Sequence, residues 1–181
     1  MDEHLYEKTI STTPIYKGRV IDLEIDEVEL PDGKTSKREL VRHPGAVAII
    51  AVTTEGKLVV VRQYRKALDR VIVEIPAGKL EINEDPLECA MRELEEETGY
   101  KAVSLQYVTS FYTSPGFADE IVHLYFTDSL RHGTCQTDDD EFVERIEITI
   151  DEALELIQTK EIYDAKTAYA VQYLQLLHIN R

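Results

Sequence analysis

Residues 78–100 read Gly78-Lys79-Leu80-Glu81-Ile82-Asn83-Glu84-Asp85-Pro86-Leu87-Glu88-Cys89-Ala90-Met91-Arg92-Glu93-Leu94-Glu95-Glu96-Glu97-Thr98-Gly99-Tyr100. The middle of this stretch is the clearest helix in the chain. Asp85 offers an N-cap side chain, Pro86 suits the first helical position, and Glu88 stands at the capping-box position. Leu87, Ala90, Met91 and Leu94 recur at i, i+3, i+4 and i+7, which predicts one apolar stripe turned to a core. Gly99 ends the helix as a left-handed residue.

The same helix is crowded with acids: Glu88, Glu93, Glu95, Glu96 and Glu97 lie within ten residues. Glu93 precedes Glu96 by three residues and Glu97 by four, so the three share part of one face. Like charges at that spacing cost about a few tenths of a kcal/mol each. Arg92 offsets them, four residues from both Glu88 and Glu96. On most helices such a face is solvated surface and nothing more. This one follows a strand-to-loop turn at Gly78, where a free backbone carbonyl can join the carboxylates. Oxygen donors of that kind are hard ligands, suited to Mg²⁺ or Mn²⁺ rather than zinc.

Composition points the same way. The 181 residues make about one domain, and 43% apolar residues are enough for a core. The formal net charge of −15 argues against binding nucleic acid or an anionic membrane, both of which need a basic surface. A phosphate substrate must then be met by a local arginine cluster or by bound cations. Cys89 and Cys135 form neither a CxxC nor a disulfide framework. The acidic start at Met1, Asp2, Glu3 and His4 is unlike a secretory signal, and the longest apolar run, 46–52, is far short of a membrane span. A cytoplasmic protein is expected.

Outward from the helix, period-2 and apolar runs predict strands at 20–30, 35–41, 45–53, 58–65, 71–75, 103–112, 121–127 and 142–150. A change of phase between Ile25 and Val28 predicts a bulge in the first of them. Residues 1–14 carry no pattern. Helices are expected at 151–159 and 165–177, the second packing through Ala168, Tyr169, Gln172, Tyr173 and Leu176. Strands, one central helix, more strands and terminal helices predict an α+β mixed sheet between helices.

The acidic stretch has a further regularity. Gly78, five residues, Glu84, seven residues, Arg92-Glu93-Leu94, one residue, Glu96-Glu97, one residue, Gly99 is the spacing of the Nudix box. Seven fixed positions match by chance roughly once in 10⁸–10⁹ starts. The chain therefore resembles the Nudix hydrolases. Tyr100 departs from the pattern, since an aliphatic residue is commoner in that last slot. Sixteen residues past Gly99 stands Pro115, in Ser114-Pro115-Gly116-Phe117. With His43-Pro44-Gly45-Ala46-Val47, Arg62-Gln63-Tyr64-Arg65, Glu74-Ile75-Pro76-Ala77-Gly78 and Asp164-Ala165-Lys166-Thr167, it is similar to the ADP-ribose pyrophosphatase branch. The likeness spans about residues 8–178 and is greatest to the short enzymes of Gram-positive bacteria.

The resemblance implies an α/β/α sandwich of Nudix fold at 42–181, with the box at 78–100. An N-terminal antiparallel β subdomain at 1–41 would form a homodimer by exchanging strands. The implied activity is metal-dependent hydrolysis of ADP-ribose to AMP and ribose 5-phosphate, with two or three Mg²⁺ or Mn²⁺ ions per site. Glu93, Glu97, Glu96 and the Ala77 carbonyl would hold metal, while Glu84 and Arg92 brace the loop on the helix. Glu141 is the implied base or further ligand, with Asp139, Asp140, Glu144 and the box acid Glu96 as alternatives. Arg65 is implied near the phosphates, Arg19, Val20, Arg38 and Glu39 at the adenosine end, and Ser114, Gly116 and Glu120 on the terminal ribose side. Another nucleoside diphosphate sugar would satisfy the same box. A non-catalytic ADP-ribose sensor, or an acidic Ca²⁺ buffer, is the reading from other classes.

Overall fold

The computed structural model describes residues 2–134 and 142–179, with side chains described through residue 177. The chain forms two compact units, one of residues 1–45 and 111–122, the other of residues 46–110 and 123–181.

The first unit is built on a three-stranded antiparallel sheet. Its strands are β1 (Lys8–Lys17), β2 (Asp22–Glu29) and β3 (Thr35–Arg42), in that order. Gly33, at φ 82°, makes the β2–β3 turn, and its N–H donates to the Leu30 carbonyl at 2.9 Å. The bulge expected between Ile25 and Val28 is not there. β2 and β3 pair without a break from Asp22↔Arg42 to Glu29↔Thr35, and the register shifts fall in β1 at Thr9/Ser11 and Pro14/Tyr16. The phase change in β2 instead reflects Asp26, buried where alternation would put a polar residue outside. Its carboxylate accepts from the Thr9 and Thr12 hydroxyls at 3.1 and 2.6 Å, which satisfies the buried charge. β1 carries no sequence pattern because all ten of its residues are exposed. Segment 111–122 joins this unit through β3, where the Val41 N–H donates to the Phe117 carbonyl at 2.8 Å.

The second unit holds a seven-stranded sheet. Its strands are β4 (Ala46–Val52), β5 (Leu58–Arg65), β6 (Arg70–Glu74), β7 (Ala77–Lys79), β9 (Gln106–Tyr112), β10 (Ile121–Thr127) and β12 (Val143–Ile148). The main path is β12-β5-β4-β10-β9, with β6 on β5 and β7 on β4. The run expected as a strand at 103–112 is strand only from Gln106 onward, and a short strand that was not expected precedes it. β8 (Tyr100–Ala102) turns aside to pair with β11 (Leu130–His132), and β9 begins after the break. The helices are α1 (Pro86–Thr98), α2 (Ile150–Gln158) and α3 (Ala165–Ile179).

Alternation along the strands separates the helices. Val47, Ile49, Ala51, Val59 and Tyr125 pack with Cys89, Ala90 and Leu94 of α1. Phe126, next to Tyr125 and so pointing to the other face, meets Tyr173 of α3 edge-on at 6.1 Å. The sheet is therefore covered by α1 on one side and by α3, with α2 beside it, on the other. This is the expected α+β sandwich. The packing face of α3 is turned from the one expected. Thr167, Ala170, Val171 and Leu174 are buried, while Tyr169 and Leu176 are exposed, because Thr167 must reach the Ile75 N–H at 3.0 Å.

Candidate active site

The acidic face of α1 is positioned by both of the helix's ends. Asp85 caps the start, accepting from the N–H groups of Leu87 and Glu88 at 2.9 and 3.3 Å. Gly99 closes the end at φ 68°. The apolar stripe is rotated from the expected one. Cys89, Ala90 and Leu94 are buried, while Leu87 and Met91 are more than a third exposed. The rotation brings the acidic edge down onto the sheet, so that Glu97 is buried at 2% exposure.

There Glu97 meets β7. One of its carboxylate oxygens accepts from the Ala77 N–H at 3.0 Å. Beside it, the Glu93 carboxylate occupies the space over Gly78 where any Cβ would stand. A Cβ at position 78 would displace that carboxylate, and Gly78 is not among the positive-φ residues. Two carboxylates from one helix face converge on one dipeptide of backbone.

Arg92 is the local cation. Its guanidinium grips Glu84 with two bonds, at 2.9 and 3.0 Å. It also donates to Glu93 and to Glu96 at 2.8 Å each, and reaches the Cys89 sulfur at 3.3 Å. The Glu84 carboxylate in turn accepts from the Glu81 N–H at 2.9 Å. The box loop is therefore tied to the helix through Glu84 and Arg92. The Arg92 hydrogen bonds pull the Glu84 carboxyl down to about 2, and the same partners raise Arg92. Burial pushes the Cys89 thiol up to about 12, so it is no nucleophile at neutral pH.

The residues fit a hard divalent cation. Glu97 and Glu93 are carboxylates held close together on a cradle that a side chain at position 78 would fill. Among the described residues, no three acidic, His or Cys side chains are already gathered at metal-binding distances. Glu93 and Glu96 are instead turned onto Arg92. Glu141, with Asp139 and Asp140, lies outside the described residues. Glu144, on β12, pairs with Arg62 at 3.5 Å.

The remaining candidates fall into two groups. Within the second unit, Arg65 donates to Glu74 at 2.5 Å. Glu74 is nearly buried and also takes the Lys166 ammonium. Sequence reasoning missed Glu74 and Lys166 as a pair. Their signals are an acid inside the apolar run 71–75 and the place of both residues in segments that carry the family resemblance. Within the first unit, Arg19 and Val20 lie in the exposed bend after β1, and Arg38 and Glu39 lie on β3. Arg38 is engaged by Glu7 through two bonds, at 2.8 and 2.6 Å. The Ser114 carbonyl closes a turn by accepting from Phe117 and Ala118 N–H at 3.1 and 2.9 Å. A Cβ on Gly116 would meet open space. Glu120 accepts from the Thr113 hydroxyl at 2.5 Å.

Comparisons with known proteins place the chain as a whole. Residues 42–169 match the model of the NUDIX domain. Residues 7–41 match that of the nucleoside diphosphate sugar hydrolase N-terminal domain. The chain is 60% identical to a Bacillus subtilis ADP-ribose pyrophosphatase, over 95% of this chain and 94% of that one. It is 61% identical to a Bacillus methanolicus methanol dehydrogenase activator, over 94% and 93%. A crystal structure of an ADP compounds hydrolase superposes with a TM-score of 0.83 at 18% identity, covering 97% of this chain and 96% of that one. The last shows the fold alone. With the Nudix model covering most of its length and the box acids drawn onto Ala77 and Gly78, this chain belongs to the Nudix family.

Proposed function

We propose that this chain hydrolyses the pyrophosphate bond of ADP-ribose, giving AMP and ribose 5-phosphate. The observation that carries the reading is the convergence of Glu93 and Glu97 on the Ala77–Gly78 backbone. The 60% identity to an ADP-ribose pyrophosphatase over nearly the whole chain supports the choice of substrate. Nudix hydrolases need a divalent cation, here Mg²⁺ or Mn²⁺ with two or three ions per site.

Glu93, Glu97, Glu96 and the Ala77 carbonyl hold the cations. Dications held there would offset the diphosphate charge and would lower the pKa of a water, so that its deprotonated form could attack phosphorus. Glu97 is pre-oriented by the Ala77 N–H, so it does not have to be ordered when a cation arrives. Glu84 and Arg92 fix the loop to α1. Arg92 also holds Glu93 and Glu96 together against their mutual repulsion. Glu141 is the general base, with Glu96 as the alternative. Arg65 meets a phosphate oxygen while Glu74 fixes its Nε. Arg19, Val20, Arg38 and Glu39 serve the adenosine end, and Ser114, Gly116 and Glu120 the terminal ribose. Arg38 must leave Glu7 to do so. Residues 1–41 form the dimer by exchanging strands, so these groups reach the partner subunit's site. The protein works in the cytoplasm.

The test is a hydrolysis panel of ADP-ribose, ADP-glucose, GDP-mannose, NADH and diadenosine polyphosphates, with and without Mg²⁺ and with products identified. ADP-ribose is expected to lead, with AMP as product. A stronger sugar-nucleotide substrate replaces the substrate and keeps the chemistry. Full activity after exhaustive EDTA dialysis ends the proposal. A second reading rests on the Bacillus methanolicus relative. In it, the chain raises the activity of a dehydrogenase. Addition of the purified protein to a methanol dehydrogenase assay decides it.

A further inference from the structure

Tyr100 stands where the box has an aliphatic residue more often, and the hydrolytic reading gives it no task. In this structure it ties the end of α1 to β12. Its phenol donates to Glu147 at 2.7 Å. The Arg145 guanidinium lies 4.8 Å from its ring centroid. Arg145 also donates to the Thr98 carbonyl at 2.6 Å. Arg145 and Glu147 are two apart on β12, opposite Val61 and Val59, so both leave the sheet on the side that α1 covers.

The electrostatics explain why a cation is needed there. The last turn of a helix presents unpaired carbonyls and the negative end of the dipole. In α1 that turn carries Glu95, Glu96 and Glu97 and no basic residue. Glu95 is paired from outside the helix by Lys101 at 3.1 Å. Arg145 supplies the charge for the Thr98 carbonyl, one residue beyond Glu97. An aliphatic residue at position 100 would pack against the sheet, but it would hold neither Glu147 nor the guanidinium.

We propose that Tyr100, Arg145 and Glu147 are positioning residues: together they fix the last turn of α1, and so hold the Glu97 carboxylate against the Ala77 N–H in its cation-binding place. The inference rests on the reading of Glu93 and Glu97 as cation ligands. None of the three touches substrate, and all act through Glu97.

The test is Mn²⁺ binding to the purified full-length protein without substrate, by calorimetry and electron paramagnetic resonance, beside the melting temperature. Arg145→Gln is expected to weaken Mn²⁺ binding by roughly ten-fold, the size usual for a group that orients a metal ligand. Tyr100→Phe keeps the ring under Arg145 and loses only the hydroxyl bonded to Glu147, so its loss is smaller. Arg145→Lys restores most of the affinity, because it returns a charged donor to the Thr98 carbonyl. Arg62→Ala breaks a surface pair on the neighbouring strand and leaves binding unchanged. Should Arg145→Gln fail to fold, Tyr100→Phe decides. Wild-type affinity in both Tyr100→Phe and Arg145→Gln overturns the proposal, as does an equal loss in Arg62→Ala. Where wild type binds Mn²⁺ and Glu97→Gln does not, either of those results removes the clamp alone. A wild type that takes up no Mn²⁺ removes the metal reading and the clamp with it.

Discussion

The inner edge of α1 and the three-stranded sheet of the first unit are both rich in charge, yet they hold it differently. On α1, Glu97 is buried, and Glu84, Glu93 and Glu96 share the single guanidinium of Arg92. At the sheet, Arg38 of β3 and Glu7, just before β1, meet in a pair about one third exposed, and Lys34 and Asp32 of the β2–β3 turn in a pair more exposed still. Charges of the first kind are interlocked, so moving one disturbs the rest. Charges of the second kind exchange partners with water at little cost. A fixed geometry suits the cation-binding role proposed for the first, and pairs that open at little cost suit the ligand-binding role proposed for the second.

The sharpest way to break this comparison is Glu97→Gln. It keeps an acceptor for the Ala77 N–H and removes one negative charge, so the fold should survive. Turnover of the nucleotide sugar is expected to fall at least about 100-fold, as for loss of a group acting at the reacting centre. Normal turnover with normal Mg²⁺ dependence would remove Glu97 from the ligand set. Next in size is Arg92→Ala, which leaves three partly buried carboxylates without their cation. Urea denaturation should show a loss of about 3 kcal/mol. A loss no larger than that of a surface pair would make the interlocked face an ordinary one.

The third prediction is an acid limb. Glu84 is held at about 2 in the folded chain, against 4.5 as its ordinary value. A carboxyl lowered by folding contributes stability that is complete above its ordinary value. That stability drains away as the pH falls from 4.5 towards 2. Glu84→Gln should therefore flatten the stability curve in this window, by about 2 kcal/mol after allowance for partial exposure. An unchanged slope would detach Glu84 from Arg92. The smallest effect is expected from Glu7→Ala, which should leave the melting temperature unchanged and free Arg38. Under the substrate assignment it should lower the KM for ADP-ribose or leave it alone. A clear loss of stability would show that the sheet's charges are interlocked after all.

The same contrast separates what is legible in the sequence from what is not. α1 is legible to the residue at both ends, because Asp85, Pro86 and Gly99 are local signals that act on their own backbone. The strands at 58–65 and 121–127 are equally plain, since burial on the sheet imposes a pattern. β1 is invisible because exposure on both faces leaves no alternation to detect. The turned faces of α1 and α3 escape the sequence for another reason. Leu87 and Met91 fit a stripe as well as Cys89 and Leu94 do, and distant partners, Ala77 and Gly78, make the choice. Likewise, Arg92's bond to Glu96 follows from spacing four, whereas its grip on Glu84, eight residues away, depends on the loop's path. The box acids can be found as a group from spacing. Tyr100 is an irregularity in the sequence, and its partners come from distant strands, Arg145 and Glu147 on β12 and His132 on β11.

The exposed strand β1 raises a question of solubility. It is the outermost member of its three-stranded sheet, and such a margin invites endless stacking of further chains. Pro14 sits in the middle of it with no N–H to offer, the pairing slips on either side of that proline, and Lys8 and Lys17 stand at the two tips. Each of these spoils a flat, regular template, so the margin can serve a single matched neighbour and still refuse to seed a fibre.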